Sequence, residues 1–272
     1  MSNDDRQLRI CELLRLRGEV DYRTLADSFA VSEMTIRRDV DALEQKGLLR
    51  KVMGGAIALG KLAEPPFEAR ASRQIESKQH IAEAAADYLR AHETVILDSG
   101  STALAVARAV RGRELGLTIV TPSILVAVEL ANERDTTVIL TGGLVRPGEL
   151  SLIGFEAVQS LGAINCDTFV MGVAGVHDER GYTDYHRDES AVKRAAISAC
   201  DRLIVVADHS KIGRVHLSHI APLDRADVLV TDETGDLASA TLAAAARVGV
   251  EVATPPPHDG ASRVAGGSQA ST

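Results

Sequence analysis

Two groups of residues in this sequence have the types and spacing to do chemistry. The first is Ser32-Glu33-Met34-Thr35-Ile36-Arg37-Arg38-Asp39-Val40. A threonine and two adjacent arginines near a helix start suit the phosphates and guanine edges of a DNA major groove. Ser32 has the hydroxyl of an N-cap, and Val31 and Ile36 have the spacing of a hydrophobic staple. Met34 falls outside the apolar seam, but Ile36, Val40 and Leu43 repeat at helical spacing and face a core. That leaves Glu33, Thr35, Arg37, Arg38 and Asp41 towards solvent. A charged amphipathic helix on any protein surface would carry the same pattern, so the flanking residues have to decide.

The second group is a series. Asp98-Ser99-Gly100-Ser101-Thr102 follows an apolar run and opens a helix. Small residues there let backbone amides approach an anion, the helix N-terminus favours negative charge, and the hydroxyls add donors. Later runs end in Thr121-Pro122-Ser123, in Thr141-Gly142-Gly143, in Ala174-Gly175 followed by Gly181-Tyr182-Thr183, and in Asp208-His209-Ser210-Lys211. Each alone is an ordinary turn. Together they bring glycines, hydroxyls and a lysine to one edge, which suits a small phosphorylated, hydroxylated molecule. Asp98 beside an anion either caps its turn or accepts sugar hydroxyls. Taken alone, Glu189 and Lys193 at helical spacing read as an exposed ion pair, and Lys211 as a solvated charge. His216 and His219 have ligand spacing but lack a third ligand, so no metal is expected, and no cofactor is implied.

The elements that position the first group are short helices. Arg6 to Arg17 forms one, with Leu8, Cys11 or Ile10, and Leu13 or Leu14 on its buried side; Gly18 ends it. Asp21 caps a second, with Val20 and Leu25 as staple and Leu25, Ala26 and Phe29 as apolar face. Ala30-Val31 leads tightly into Ser32, giving a helix-turn-helix. Gly47 stops the basic helix. Leu48–Val52 and Ala56–Leu59 then form two strands around Gly54-Gly55, a wing with Arg50 and Lys51 placed at phosphates.

Gly60 to Arg73 is a linker, because Pro65-Pro66 opposes helix and strand alike; a hinge there would let a second domain report to the first. A helix over Ile75–Ala91 precedes strands at 94–97, 117–120, 137–140, 169–173, 203–206 and 228–230, with helices between. Short β-branched runs alternating with helices predict an α/β fold with a mainly parallel sheet covered on both faces. Ligands bind such sheets at the carboxyl ends of the strands. The expected organisation is a DNA-binding unit at 1–59, a linker at 60–74, an effector domain at 75–254 and a disordered Pro-, Gly- and Ser-rich tail at 255–272.

Composition sets bounds on function. The 272 residues suffice for two cores, and the net charge of −8 argues at first against nucleic acid. Residues 1–60, however, hold ten basic and ten acidic side chains, so the other 20 basic and 28 acidic residues carry the whole −8. A neutral DNA-binding unit beside an acidic domain is compatible with groove binding. Three widely separated cysteines fit small buried residues in a reducing compartment. No signal peptide or membrane-length apolar run is present, so the expected location is the cytoplasm.

Arg6, Ile10, Leu14, Ser32, Thr35, Ile36, Arg37, Arg38, Asp39 and Val40 match the N-terminal signature of the DeoR family of bacterial transcription regulators in type and spacing. The second half resembles the same family at Lys78 with Ile81-Ala82, Asp98 to Thr102, Thr141-Gly142-Gly143, Gly154, Asp167, Gly172, Gly175, Gly181, Glu189, Lys193 and Asp208 to Lys211. The resemblance runs from Arg6 to about Asp232. It implies a winged helix that binds operator DNA through Thr35, Arg37 and Arg38, with Asp39 structural. It further implies a sugar-phosphate sensor related in fold to ribose-5-phosphate isomerase and the coenzyme A transferases. Pro122, where the family often has asparagine, puts a ligand contact there in doubt, and Tyr182 is a bulkier residue that would tune ligand fit.

The expected protein is a transcriptional regulator, a repressor of a sugar or polyol catabolic operon. Its partners are operator DNA, a phosphorylated sugar or polyol and further copies of itself, with no membrane. Ser32, Thr35, Arg37, Arg38, Arg50 and Lys51 would meet DNA. Asp98, Ser99, Gly100, Ser101, Thr102, Thr141, Gly142, Gly143, Gly175, Glu189, Lys193 and Lys211 would form the effector site. The competing class is a sugar-phosphate isomerase with an appended DNA-binding domain, which would need Glu189 or Asp98 as base. An activator is the other alternative.

Overall fold

A computed structural model describes residues 3–17, 19–52, 54–58, 64–232 and 239–255. The N-terminal unit comprises α1 (Asn3–Arg17), β1 (Glu19–Asp21), α2 (Tyr22–Phe29), α3 (Glu33–Gln45), β2 (Leu49–Val52) and β3 (Gly55–Ala58). Asp21 accepts the Thr24 amide at 2.7 Å and Ser32 accepts the Thr35 amide at 3.2 Å, so both expected N-caps are formed. Ile10, Leu14, Leu25, Ile36, Val40 and Leu43 close one core around these helices. Leu8, expected on the buried side of α1, is instead 60% exposed, because Ile10 and Leu14 already supply the inward stripe. The wing is one strand larger than expected: β3 lies between β2 and β1, antiparallel to both. Gly18 lies outside the described residues.

A buried ion pair ties α1 to α3. Arg6 donates to Asp39 through Nε at 2.5 Å and Nη2 at 3.2 Å, and that hydrogen bond raises the guanidinium pKa. Asp39 is therefore structural, as expected.

The linker expected over 60–74 is partly helical in its described portion: α4 (Phe67–Ala71) forms after Pro65-Pro66. The Lys78 ammonium holds this helix by donating to the carbonyls of Arg70 and, at 2.8 Å, Arg73. Lys78 sits on α5 (Ile75–Asp87), and burial depresses its pKa to about 8. The segment is strapped to the second domain rather than free to act as an open hinge.

The second domain then runs β4 (Thr94–Leu97), α6 (Ser101–Val110), β5 (Thr118–Thr121), α7 (Ile124–Leu130), β6 (Thr137–Leu140), β7 (Leu144–Arg146), β8 (Ser151–Ile153) and α8 (Phe155–Gly162). It continues with β9 (Cys166–Gly172), β10 (Gly175–His177), β11 (Gly181–Asp184), α9 (Arg187–Ser198), β12 (Cys200–Val206), β13 (Ser218–Ala221), β14 (Val228–Val230), α10 (Ser239–Arg247) and β15 (Glu251–Ala253). Seven strands make a wholly parallel sheet in the order β15-β14-β12-β9-β4-β5-β6. One face packs on α5, α6 and α7, the other on α8, α9 and α10. The run at 137–140 differs from the other strands: β6 is an edge, with Ile139 43% and Leu140 45% exposed.

The strand order fixes where a site can lie. The chain winds outward from β4 through β5 to β6, then returns to the other side of β4 as β9 and winds the opposite way. The β4/β9 boundary is thus the topological switch point, where a crevice opens at the carboxyl ends. Two antiparallel additions surround that edge, the β7–β8 hairpin and the β10-β11-β13 sheet. No helix among the described residues is long and apolar enough to cross a membrane. The expected tail lies outside the described residues beyond 255.

Asp39→Ala leaves the Arg6 guanidinium without its carboxylate. It should destabilise the N-terminal unit by about 1–3 kcal/mol, read as lost hydrogen-exchange protection of α3 amides. Unchanged protection would show that the pair does not hold the helices together.

Candidate functional site

Of the residues expected at DNA, the N-cap Ser32 and Arg37 and Arg38 of α3 are exposed, and Thr35 is half-buried. The Ser32 and Thr35 hydroxyls bond one another at 2.9 Å, which closes the N-terminal turn. The Arg37 guanidinium stands 5.0 Å from the Tyr22 ring centroid and 3.9 Å from Glu33. It is held partly ordered by a cation–π contact while remaining open to solvent. Lys51 on the wing is exposed and pairs with Asp41 of α3, and that hydrogen bond raises its pKa. Its own amide donates to Glu44 at 2.7 Å, so the wing is docked on the same helix. Arg50 lies in β2; its side chain is outside the described residues. The structure therefore brings Ser32, Thr35, Arg37, Arg38 and Lys51 to one module.

The second group centres on the switch point. Asp98, at the end of β4, accepts the Lys193 ammonium at 2.6 Å and the Gly172 amide of β9 at 3.0 Å. Lys193 also reaches Asp184 at 3.0 Å and the Gly172 carbonyl at 2.7 Å. Burial pushes the Asp98 carboxyl up to about 6 against the pull of Lys193. Burial works the other way on Lys193, but Asp184, Asp98 and Glu189 outweigh it and raise its pKa. Asp98 thus braces β4, β9 and α9 through its Oδ2.

Glu189 and Lys193 are both buried, 7% and 4% exposed, which overturns the reading of an exposed pair. Glu189 accepts the Ser151 hydroxyl at 2.6 Å and pairs with Arg146 at 2.9 Å. Arg146 pairs in turn with Glu64 at 2.5 Å, and Glu64 with Arg70 at 3.0 Å. Arg70 also pairs with Glu149 and donates to the Pro65 carbonyl at 3.0 Å. Burial opposes both guanidinium charges, yet the surrounding glutamates raise both pKa values. Burial raises the Glu149 carboxyl as well, against Arg70. Sequence reasoning missed Arg70, Arg146, Glu64, Glu149 and Asp184 entirely. Arg146 and Glu149 meet partners tens of residues away, and the closer Glu64–Arg70 and Asp184–Lys193 pairs, six and nine residues apart, follow no helical or strand spacing.

The Ser99-Gly100-Ser101-Thr102 turn forms the opening of α6. Gly100 is the N-cap residue at φ +104°, a conformation only glycine adopts freely, and no side chain caps the helix. The amides and hydroxyls of Ser101 and Thr102 are consequently available at a half-buried helix N-terminus. Arg70 stands over it: a Cβ on Gly100 would lie 3.8 Å from Arg70 Nη1. Lys211 is half-buried nearby. Burial lowers its pKa, with Asp208 opposing and Arg70 adding to the depression. Thr141 is 3% exposed and its hydroxyl has no partner among the described residues, while Gly142 and Gly143 follow β6.

Two other positions are explained by packing. Gly175 lies in β10 beneath the Arg214 backbone, whose carbonyl would sit 2.4 Å from any Cβ there. Tyr182, expected to tune ligand fit, is fully buried, and its hydroxyl donates to the Leu223 carbonyl at 3.1 Å. The Pro122 carbonyl accepts the Leu152 amide at 2.7 Å, which anchors the β7–β8 hairpin on β5. His216 packs on Tyr185 with ring centroids 4.1 Å apart. Among the described residues no His, Cys, Asp and Glu cluster is arranged to hold a metal.

Lys193→Met removes the cation shared by Asp98 and Asp184. The variant should lose about 3–5 kcal/mol at neutral pH, the cost of breaking a buried pair. Without Lys193, the Asp98 carboxyl titrates still higher than about 6. A carboxyl whose folded pKa exceeds its unfolded value adds stability at low pH that is lost as pH rises through the folded pKa. The deficit relative to wild type should therefore shrink as pH falls from the variant's raised Asp98 pKa to about 6, and stay constant below that, in urea titrations. A deficit independent of pH would remove Asp98 from that role.

The DeoR-like helix-turn-helix domain matches residues 6–61 and the DeoR C terminal sensor domain matches residues 73–233. The HTH-type transcriptional regulator GolR of Listeria innocua is 34% identical over 84% of this chain and 90% of its own length. The glycerol-3-phosphate regulon repressor of Escherichia coli K12 is 30% identical over 85% of this chain and 92% of its own. Among solved structures, ribose 5-phosphate isomerase A of Methanocaldococcus jannaschii aligns with a TM-score of 0.38 at 15% identity, over 49% of this chain and 52% of that one. With both domain families matched in order along almost the whole described chain, the protein belongs to the DeoR family of DNA-binding transcriptional regulators.

Proposed function

We propose that this chain represses a sugar or polyol catabolic operon and leaves its operator when a phosphorylated sugar or polyol binds the second domain. The observation that carries this reading is the uncapped N-terminus of α6, with Arg70 over it and Lys211 close by, at the switch point of the sheet. Backbone amides at a helix start, hydroxyls and nearby cations are a phosphate's ligands. The name of the E. coli relative, a glycerol-3-phosphate regulon repressor, supports a phosphorylated polyol as effector class.

The effector phosphate sits on the amides of Gly100, Ser101 and Thr102, with Lys211 adding charge. Thr141, Gly142 and Gly143 follow β6, two strands away from β4 on the same edge of the sheet. Operator contacts come from Ser32, Thr35, Arg37 and Arg38 on α3 and from Arg50 and Lys51 on the wing. Turnover is disfavoured, because the two carboxylates that could act as base are already engaged: Asp98 by Lys193, and Glu189 by Arg146 and Ser151. One winged helix reads too few base pairs for operator specificity, so the working form is a homo-oligomer in the cytoplasm. The effector must bind the DNA-free arrangement more tightly than the bound one, and operator DNA must lower effector affinity by the same factor.

Two substitutions test the halves separately, using an operator duplex selected from a random library by the purified protein. Arg37→Ala should weaken operator binding by about 1–3 kcal/mol, and unchanged affinity would take Arg37 off the recognition surface. Ser101→Glu places a carboxylate in the anion cradle. It should bind operator yet fail to release it with any member of a sugar- and polyol-phosphate panel. Release as in wild type would sink the cradle.

A further inference from the structure

Arg70, beside the α6 cradle, and Arg146 already share an anion, and it is the protein's own. The Glu64 carboxylate lies 2.5 Å from Arg146 and 3.0 Å from Arg70, with all three side chains at most 17% exposed. Three carboxylates, Glu64, Glu149 and Glu189, face these two arginines. Glu149 sits between β7 and β8 and Glu189 on α9, so both belong to the body of the sensor. Glu64 alone arrives from the segment that joins the sensor to the wing. It precedes α4 and belongs to no helix or strand.

That segment also touches the DNA-binding unit. Two residues beyond Glu64, Pro66 lies against Gly47, with its Cγ 3.6 Å from where a Cβ would stand. Gly47 forms the turn that ends α3, and its amide donates to the Glu44 carbonyl at 2.9 Å. Residues 64–66 therefore run directly from the sensor's ion cluster to the end of the recognition helix.

We infer that Glu64 is an internal stand-in for the effector's phosphate. The incoming phosphate takes Arg70 and Arg146, displaces the Glu64 carboxylate, and so frees the segment that ties the sensor to the end of α3. This rests on the reading that the effector is a phosphorylated molecule. The exchange has a physical logic. Neither guanidinium tolerates burial without a counterion, so the cluster does not open unaided. A phosphate monoester carries about −1.5 to −2 charges and three acceptor oxygens, where a carboxylate carries one charge and two oxygens. It can satisfy the fork of an arginine and the α6 amides together. Three carboxylates against two guanidiniums leave one anion in excess, and Glu64 is the one not anchored in the sensor. Lys211, whose ammonium makes no ion pair among the described residues, adds a cation for the second phosphate charge.

The test is isothermal titration of the full-length protein with inorganic phosphate, with hydrogen exchange over residues 64–73 measured in parallel. Glu64→Gln removes the internal competitor and should bind phosphate roughly tenfold more tightly than wild type. Glu64→Ala is the second variant, in case the amide disturbs the cluster, and should tighten binding similarly. Phosphate should speed amide exchange at Arg70 and Ser72 in wild type, and adding Arg146→Gln to the Glu64→Gln variant should remove most of the gain. If wild type and both Glu64 variants bind phosphate equally while Ser101→Glu abolishes binding, the stand-in is overturned and the cradle survives. If none of them binds phosphate, the cradle and the stand-in fall together.

Discussion

The Asp98–Lys193 pair is the interaction on which the second domain depends. It sits at the one place in the sheet where the winding direction reverses, between β4 and β9, and joins both strand ends to α9. A charged pair this deep brings little net stability over apolar packing, but breaking it strands a buried charge. Its effect is to fix geometry. With Asp98 held by Lys193 and the Gly172 amide, the turn beyond β4 has one conformation, and Gly100 can present the start of α6 bare of any side-chain cap.

Around that fixed point the protein has built a second, more exchangeable electrostatic layer. Arg146 reaches it from the β7–β8 hairpin, Glu189 from α9, and Arg70 and Glu64 from the strap that leads to the DNA-binding unit. The two layers differ in what they join. The inner one links secondary structure of the sheet to itself, whereas the outer one links the sensor body to the strap. Ligand chemistry that competes within the outer layer acts on the strap without disturbing the sheet. Small changes in charge at such a place can be read out elsewhere, because the alternatives are discrete pairings of buried ions.

The N-terminal unit uses the same device for a different end. Arg6 draws the Asp39 carboxylate into the interior, next to the two arginines of the recognition helix in sequence but on the opposite side of it. The ion pair locks α1 against α3, and it removes a negative charge from the face that would approach phosphate. Arg37 rests on Tyr22 and stays exposed, and the wing is docked back on α3 through Lys51.

The boundary between what sequence determined and what folding decided follows the range of the interactions. Helix caps at Asp21 and Ser32, the α3 stripe of Ile36, Val40 and Leu43, the buried strands and the Gly100 turn were legible because each depends on residues within about one helical turn or one strand. The family signature was legible for the same reason. The exposure of β6 was not, since an edge strand and a central one share a sequence pattern and differ only in neighbours. Asp98, Glu189 and Lys193 were named from sequence, but the ionic pairings they make were not. Lys193 meets Asp98 across 95 residues and Arg146 meets Glu64 across 82, so a charged residue reads as a surface residue until the fold supplies its partner. Sequence alone therefore determined the two domain types and the glycine turn that opens α6. Only the tertiary structure decided that the apparent linker is strapped over that turn, because the forces that hold it there act between segments that have no local correlation along the chain.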